Sequence, residues 1–234
     1  FRSSYDFKNL GKHSNKFKIG FFGCSLVEGI GLSEEHMWVN MLLNKIGDRN
    51  VIGLNFGKGG CSNEYIFWNL IKAHYTIGLD MVIILYTSPN RRLFVNPNHK
   101  QNTAFMHWIN QPRWGPYRNK LISDQEFEII KNFEFSQEAD NLNILQCVTS
   151  CRTFIKENNL LSIERAWSKN IEGSFGSYSL KSIDHCYNNM NKESRISHRH
   201  AADWTGKNGH PGITFNETLS EYIFKDYEEI KKSI

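Results

Sequence analysis

Residues 17–32 of the chain read FKIGFFGCSLVEGIGL, and this stretch decides the fold. Its first seven residues are apolar and aromatic and end at Gly23, as expected of a buried strand. Ser25 follows, and a glycine-spaced loop then leads into an amphipathic segment from His36 to Ile46. In an open α/β sheet, a serine at the carboxyl end of a buried strand lies in the crevice where such folds bind ligands. On this stretch alone, a turn-capping role for Ser25 is an equally good interpretation.

Predicted strands and helices alternate along much of the chain. Further apolar runs predict strands at 51–57, 81–86 and 160–166, and the segments around them predict helices at 63–77, 137–157 and 214–231. The strand runs are continuous rather than alternating, which is typical of a parallel sheet covered on both faces. We therefore expect a flavodoxin-like three-layer α/β/α fold with a central parallel sheet.

The same pattern predicts one domain over residues 1–234. Irregular insertions interrupt it at about 94–131 and 172–207, where Asn, Pro and aromatic residues replace the strand–helix rhythm. The first insertion is not expected to contribute a sheet element.

Composition excludes several classes of protein. The chain has 234 residues and a net charge of only +4 without a basic block, so no nucleic-acid partner is implied. No apolar run approaches the ~20 residues of a membrane span. The chain has five cysteines, an odd number, and it is large enough to fold without disulfide bonds, so a disulfide framework is not expected. With no charged-then-apolar leader after Phe1, these unpaired cysteines favour a cytoplasmic location.

No metal or organic cofactor is predicted. Cys147 and Cys151 lie one helical turn apart, but no second Cys or His pair follows at zinc-site spacing. We interpret them as two small helix residues that face the core. His198 and His200 are interpreted as part of a solvated loop.

Four short blocks fall at predicted strand ends or in a terminal loop: Gly23–Leu26, Asn55–Asn63, Tyr86–Arg91 and Asp203–Gly212. Together they resemble the SGNH (GDSL-type) hydrolase family, whose name refers to a Ser, a Gly, an Asn and a His in separate blocks. The resemblance covers about residues 18–86 and 203–222. It implies a serine-dependent ester hydrolase that acts through an acyl-enzyme.

The residue types fit that chemistry. A serine hydroxyl needs a base to take its proton as it attacks a carbonyl, and His210 is the candidate base for Ser25. The family usually places an Asp two or three residues before the histidine, where this chain has Lys207 and Asn208. We predict that Asp203 orients His210, and Asn208 is the alternative, since an Asn serves this role in cysteine proteases.

The oxyanion of the tetrahedral intermediate needs preorganised N–H donors. The resemblance assigns this role to the backbone of Ser25 and Gly60 and to the side chain of Asn90, and Gly59 could replace Gly60. The third block lacks the family's Gly-x-Asn-Asp, so Ser88 or Arg91 could replace Asn90. Asn63, at the end of the second block, is interpreted as a helix N-cap or turn residue.

The predicted substrate is a small-molecule or glycan ester. Trp108 and Trp114 in the first insertion could form a substrate wall that stacks on sugar rings, as in carbohydrate O-deacetylation. Tryptophans in an insertion could equally pack as a small satellite core or make an oligomer contact. Two alternatives stay open: acyl transfer to a glycan by the same residues, and a non-catalytic binding or structural module on the same fold.

Overall fold

The computed structural model describes residues 15–89, 91–94, 104–105, 125, 137–167, 180–183, 185–186 and 210–233. The main strands are β1 (Phe17–Gly23), β2 (Val51–Asn55), β3 (Met81–Tyr86), β4 (Leu93–Phe94), β5 (Ala104–Phe105) and β6 (Leu161–Ala166). The main helices are α1 (Ser25–Glu28), α2 (Trp38–Ile46), α3 (Asn63–Ile77), α4 (Gln137–Glu157) and α5 (Ile213–Lys231). A 3₁₀ helix, Glu34–His36, precedes α2.

The central sheet has the strand order β2-β1-β3-β6, and every pair is parallel. In its register, Phe21 of β1 lies between Asn55 of β2 and Ile83 of β3. All six residues of β3 are buried, which agrees with their continuous apolar run. The predicted parallel sheet is confirmed, and its carboxyl edge brings together the loops that follow β1, β2, β3 and β6.

Helices cover both faces of this sheet. Successive strand residues point to opposite faces, and the neighbours Phe21 and Phe22 show the result. Phe22 packs with residues of α3 and α4 and stacks on Phe56, with ring centroids 5.0 Å apart. Phe21 packs with residues of α2 and α5 and meets the Trp38 ring edge-on at 5.6 Å. The three-layer α/β/α architecture predicted from the sequence is therefore confirmed.

Helix ends follow local chemistry. The side chain of Ser62 caps α3 by accepting a hydrogen bond from the backbone N–H of Tyr65 at 3.4 Å. The helix ends at Gly78, whose φ of 70° is the left-handed conformation that glycine adopts without strain. The interpretation of Asn63 as an N-cap or turn residue is wrong, because Ser62 is the cap and Asn63 is the first helical residue.

Two features of the insertions differ from the sequence prediction. β4 and β5 pair antiparallel, with Leu93 opposite Phe105, so the expectation that the first insertion adds no sheet element is wrong. In the second insertion, Ser182 makes a parallel bridge to Ala166 at the end of β6. Among the residues that the structure describes, no helix is long and apolar enough to cross a membrane.

Candidate active site

The candidate nucleophile Ser25 opens a tight turn at the carboxyl end of β1. The residue is 8% exposed, and its backbone carbonyl accepts hydrogen bonds from the N–H groups of Gly29 and Ile30 at 3.0 and 3.2 Å. The turn needs a glycine at position 23, because a Cβ there would lie 2.4 Å from a methyl of Val27 and 2.9 Å from a backbone oxygen of β3. The serine is thus fixed at the sheet edge by close packing of Gly23 on the side chain of Val27 and on the backbone of β3.

The loop after β2 packs directly on this turn. The side chain of Asn55 donates to the carbonyl of Val27 at 2.7 Å and accepts from the N–H of Gly57 at 2.9 Å. The carboxylate of Glu28 accepts from the N–H of Gly59 at 2.5 Å. Gly60 follows with a φ of 75°, where residues with side chains are strained. The candidate oxyanion-hole loop is therefore joined to the turn that carries Ser25.

The loop after β3 is fastened to the start of α3. The buried amide of Asn63 accepts from the N–H of Thr87 at 2.9 Å and donates to the carbonyl of the same residue at 3.1 Å. Arg91 is 4% exposed, and its guanidinium donates to the carbonyl of Cys61 at 3.4 Å. Its flat face lies on the ring of Trp167, 4.7 Å from the centroid. Arg91 thus touches the loops that follow β2 and β6.

His210 lies three residues before α5, and a chain of contacts joins its segment to the Ser25 turn. The indole N–H of Trp38 donates to the carbonyl of Leu26 at 2.9 Å. The backbone N–H of the same tryptophan donates to the side-chain oxygen of Asn216 at 3.1 Å. The side-chain nitrogen of Asn216 donates in turn to the carbonyl of Gly212 at 2.9 Å. The side chain of His210 is partly exposed.

No protein-family model matches the chain, and no curated protein sequence matches it. Solved structures are similar to it. The psychrotrophic esterase EstA from Pseudoalteromonas sp., inhibited by monoethylphosphonate, is 14% identical over 92% of this chain and 97% of its own, with a TM-score of 0.49. A member of the lipolytic protein G-D-S-L family from Veillonella parvula is 15% identical over 88% and 94%, with a TM-score of 0.41. The lipase Lip_vut3 from a goat rumen metagenome is 14% identical over 89% and 96%, with a TM-score of 0.42.

The likeness is to solved structures that are at most 15% identical to the chain and have TM-scores below 0.5. Because the identities are low, the similarity concerns the fold, and the roles of individual residues are inferred from this chain itself.

Two cysteines lie within the first and second sequence blocks, Gly23–Leu26 and Asn55–Asn63. Cys24 precedes the candidate nucleophile, and its Sγ is 3.9 Å from the hydroxyl of Ser25. Cys61 follows Gly60, and its thiol donates to the carbonyl of Gly23 at 3.3 Å. Burial raises the pKa of Cys61 well above its usual value, and the neighbouring Cys24 raises it further. Cys61 is therefore a neutral hydrogen-bond donor that helps to hold the two loops together.

The cysteines of the helix pair are also structural. Cys147 and Cys151 are both buried, which confirms that they face the core. Burial raises the pKa of both thiols, to about 12 for Cys151. Within the described part of the chain, no group of three or more His, Cys, Asp or Glu side chains is arranged to hold a metal ion.

The predicted site residues divide into two groups. Ser25, Gly60 and His210 belong to segments that the contacts above join along the carboxyl edge of the sheet. Asn90, Asp203 and its alternative Asn208, and the tryptophans Trp108 and Trp114, lie outside the described residues.

Sequence reasoning missed the residues that connect these segments. Asn216 is 3% exposed and lies on the apolar side of α5 next to the buried Phe215. An amide within an apolar helical stripe is a signal that it hydrogen-bonds a buried partner, because an unpaired buried amide is costly. No pattern in the sequence marks the contact of Trp167 with Arg91, because this contact depends on the pairing of β3 with β6.

Proposed function

We propose that this protein is a serine-dependent ester hydrolase in which Ser25 attacks the ester carbonyl and His210 takes its proton. The hydroxyl oxygen of Ser25 forms a bond to the carbonyl carbon, and the ester alcohol leaves with the proton that His210 carries. Water, deprotonated by His210, then cleaves the acyl-enzyme and releases the acid. The observation that carries this proposal is the hydrogen-bonded chain from Leu26 through Trp38 and Asn216 to the segment of His210.

The oxyanion hole that we propose consists of the backbone N–H groups of Ser25 and Gly60 and the side chain of Asn90. The contacts of Asn55 and Glu28 support it, because they hold the Gly60 loop against the Ser25 turn before any substrate binds. Donors fixed in advance stabilise a developing charge without reorganising during the reaction. Asp203 is proposed to orient His210, and the substrate is proposed to be a small-molecule or glycan ester.

A serine-directed fluorophosphonate tests the nucleophile. It should label the wild-type protein covalently and leave Ser25→Ala unlabelled, and turnover of p-nitrophenyl acetate should fall to the background rate in the same variant. Ser33→Ala is the matched control, because Ser33 is an exposed serine eight residues further along, in the loop before α2. Equal labelling of wild type and Ser25→Ala, or no labelling of a folded wild type, would contradict the proposal.

Two further variants test the base and its partner. His210→Ala should lower turnover by several orders of magnitude, and Asp203→Ala should lower it somewhat less. If Asp203→Ala is as active as wild type while Asn208→Ala is impaired, the amide rather than the carboxylate orients the imidazole.

A further inference from the structure

The buried arginine that ends the third block, Arg91, has no counter-charge among the residues that the structure describes. Among the described residues, Arg92, Arg152 and Arg165 each contact a carboxylate: Asp140, Glu164 and Asp226, respectively. Arg91, at 4% exposure, contacts none of the carboxylates that the structure describes. A buried charge is costly unless an opposite charge or several hydrogen bonds compensate it. The carbonyl of Cys61 at 3.4 Å is a weak compensation.

The unused donors of Arg91 lie along one edge of its guanidinium. Its Nη1 donates to Cys61, its Nε is buried without a hydrogen-bond partner, and Nη2 donates to no atom of the described residues. Trp167 covers the flat face and is itself held by a 2.9 Å hydrogen bond from its backbone N–H to the carbonyl of Tyr86. The side chain is therefore fixed with the Nε–Nη2 edge unused. That edge is the fork with which arginine binds a carboxylate or phosphate through two parallel hydrogen bonds.

This fork lies at the candidate active site. Arg91 follows β3 and contacts the residue directly after Gly60, so it shares the carboxyl edge of the sheet with Ser25. Both residues are buried, Arg91 at 4% exposure and Ser25 at 8%. The hydroxyl of Thr87, in the same loop, is also buried without a hydrogen-bond partner. The unpaired guanidinium edge of Arg91 is the group at this end of the sheet that suits an anionic ligand.

We infer that Arg91 recognises an anionic group of the substrate, so that the preferred esters carry a carboxylate or a phosphate in addition to the ester bond. This inference rests on the proposed esterase function and specifies its substrate class. Arg91 binds the anion through its Nε–Nη2 edge, and Trp167 keeps the guanidinium in place.

Paired substrates test the inference. Wild type should hydrolyse mono-p-nitrophenyl succinate, which carries a carboxylate, with a higher kcat/KM than neutral p-nitrophenyl acetate. Arg91→Gln should lower kcat/KM for the succinate ester by roughly 10- to 100-fold, as expected for loss of a charged hydrogen-bond pair, and should lower kcat/KM for the acetate ester by a clearly smaller factor. Arg91→Lys keeps the charge without the fork and should retain part of the preference. Arg92→Gln is the control, because it removes a buried arginine that already has a carboxylate partner, and it should leave the ratio of the two esters unchanged.

The outcomes separate the alternatives. Equal losses on both esters in Arg91→Gln would place the guanidinium at the reacting carbonyl and overturn the inference, as would a wild type without preference for the succinate ester. If Arg91→Gln does not fold, the inference is tested by the wild-type preference for the succinate ester and by whether Arg91→Lys reduces that preference. If neither ester is hydrolysed, the proposed function fails, and calorimetric titration of succinate and of inorganic phosphate into wild type and Arg91→Lys tests the site alone. Binding that is weakened in Arg91→Lys would support an anion site, and no binding to wild type would overturn it.

Discussion

Replacing Asn216 by Ala should destabilise the protein and slow its turnover, because this amide joins three parts of the fold. In wild type its oxygen accepts from the N–H of Trp38, the first residue of α2, where the N-cap Met37 offers no side-chain cap. Its nitrogen donates to the carbonyl of Gly212 in the segment that follows His210. Asn216 is therefore the helix cap of α2, although it belongs to α5.

The size of the effect follows from the groups left behind. Ala leaves the N–H of Trp38 buried and unpaired, which costs about 1–3 kcal/mol. The carbonyl of Gly212 still accepts from the backbone N–H of residue 216 at 3.3 Å. Losing the side-chain donor therefore costs only the net stability of one hydrogen bond, about 0.5–1.5 kcal/mol. Together these two losses should lower the free energy of unfolding by roughly 2–4 kcal/mol. Because the free energy of unfolding falls by about 2 kcal/mol per molar urea, the urea midpoint should fall by about 1–2 M.

Asn216→Asp separates the two halves of the contact. The carboxylate still accepts from Trp38, at a helix N-terminus where negative charge is favourable, but it cannot donate to Gly212. This variant should recover part of the stability and still turn over p-nitrophenyl acetate more slowly than wild type, because the segment of His210 loses its side-chain hydrogen bond and keeps only the backbone one. Glu217→Ala, an exposed change one residue further along, should alter neither quantity.

The measurements are urea unfolding followed by tryptophan fluorescence, and kcat for the same ester. An Asn216→Ala protein within about 0.5 kcal/mol of wild type would refute the assigned role of the amide in stability. Wild-type turnover by a folded Asn216→Asp protein would refute its role in positioning His210.

Two further predictions concern a glycine and a thiol. Gly57→Ala should cost roughly 1–3 kcal/mol of stability and lower turnover, because its Cβ would lie 2.3 Å from the backbone nitrogen of Glu28 and displace the Ser25 turn. Gly78→Ala is the control at the opposite edge of the sheet: a Cβ there meets nothing within 4 Å, so the positive φ should lower stability but not turnover. Full turnover in Gly57→Ala with reduced turnover in Gly78→Ala would disprove the role of the Gly57 contact. For Cys151, burial raises the pKa to about 12, so the folded state holds a proton that the unfolded state releases above pH 9, and stability falls as pH rises from 9 to 12. Replacing Cys151 by Ala should make the decline of the unfolding free energy with pH shallower by up to about 1.4 kcal/mol per pH unit. Urea unfolding at pH 9, 10 and 11 measures this decline. Parallel curves for the two proteins would contradict the raised pKa of Cys151.

The sequence predicted the layered fold because apolar periodicity carries most of the information about long elements. The bounds of β1, β3, α3 and α4 agree with the predicted ones, since each is a long apolar or amphipathic run closed by a glycine, a cap or a polar loop. The two-residue strands β4 and β5 were missed, because two residues are too few to show a period.

The candidate site was predicted in its parts but not in its connections. Ser25, Gly60 and His210 are marked by local sequence, whereas the contact of Asn216 with Trp38 spans 178 residues and depends on how α5 packs against α2. Asn63 shows the same limit: its local position suggested a cap, but tertiary contact with Thr87 determines its role. Pairings of this kind depend on the packed fold, which single-sequence patterns do not specify.

The burial of every cysteine gives this protein a built-in set of chemical probes. All five are free thiols and all five are buried, with Cys147 the most exposed at 5%. An alkylating reagent can therefore modify a given thiol only after the surrounding segment opens, so its rate reports the free energy of that opening. Cys61 lies in the loop at the carboxyl edge, and Cys151 lies inside a 21-residue helix. Mass spectrometry of partly alkylated protein would thus compare the loop that holds the candidate site with the core beneath it, without any engineered label.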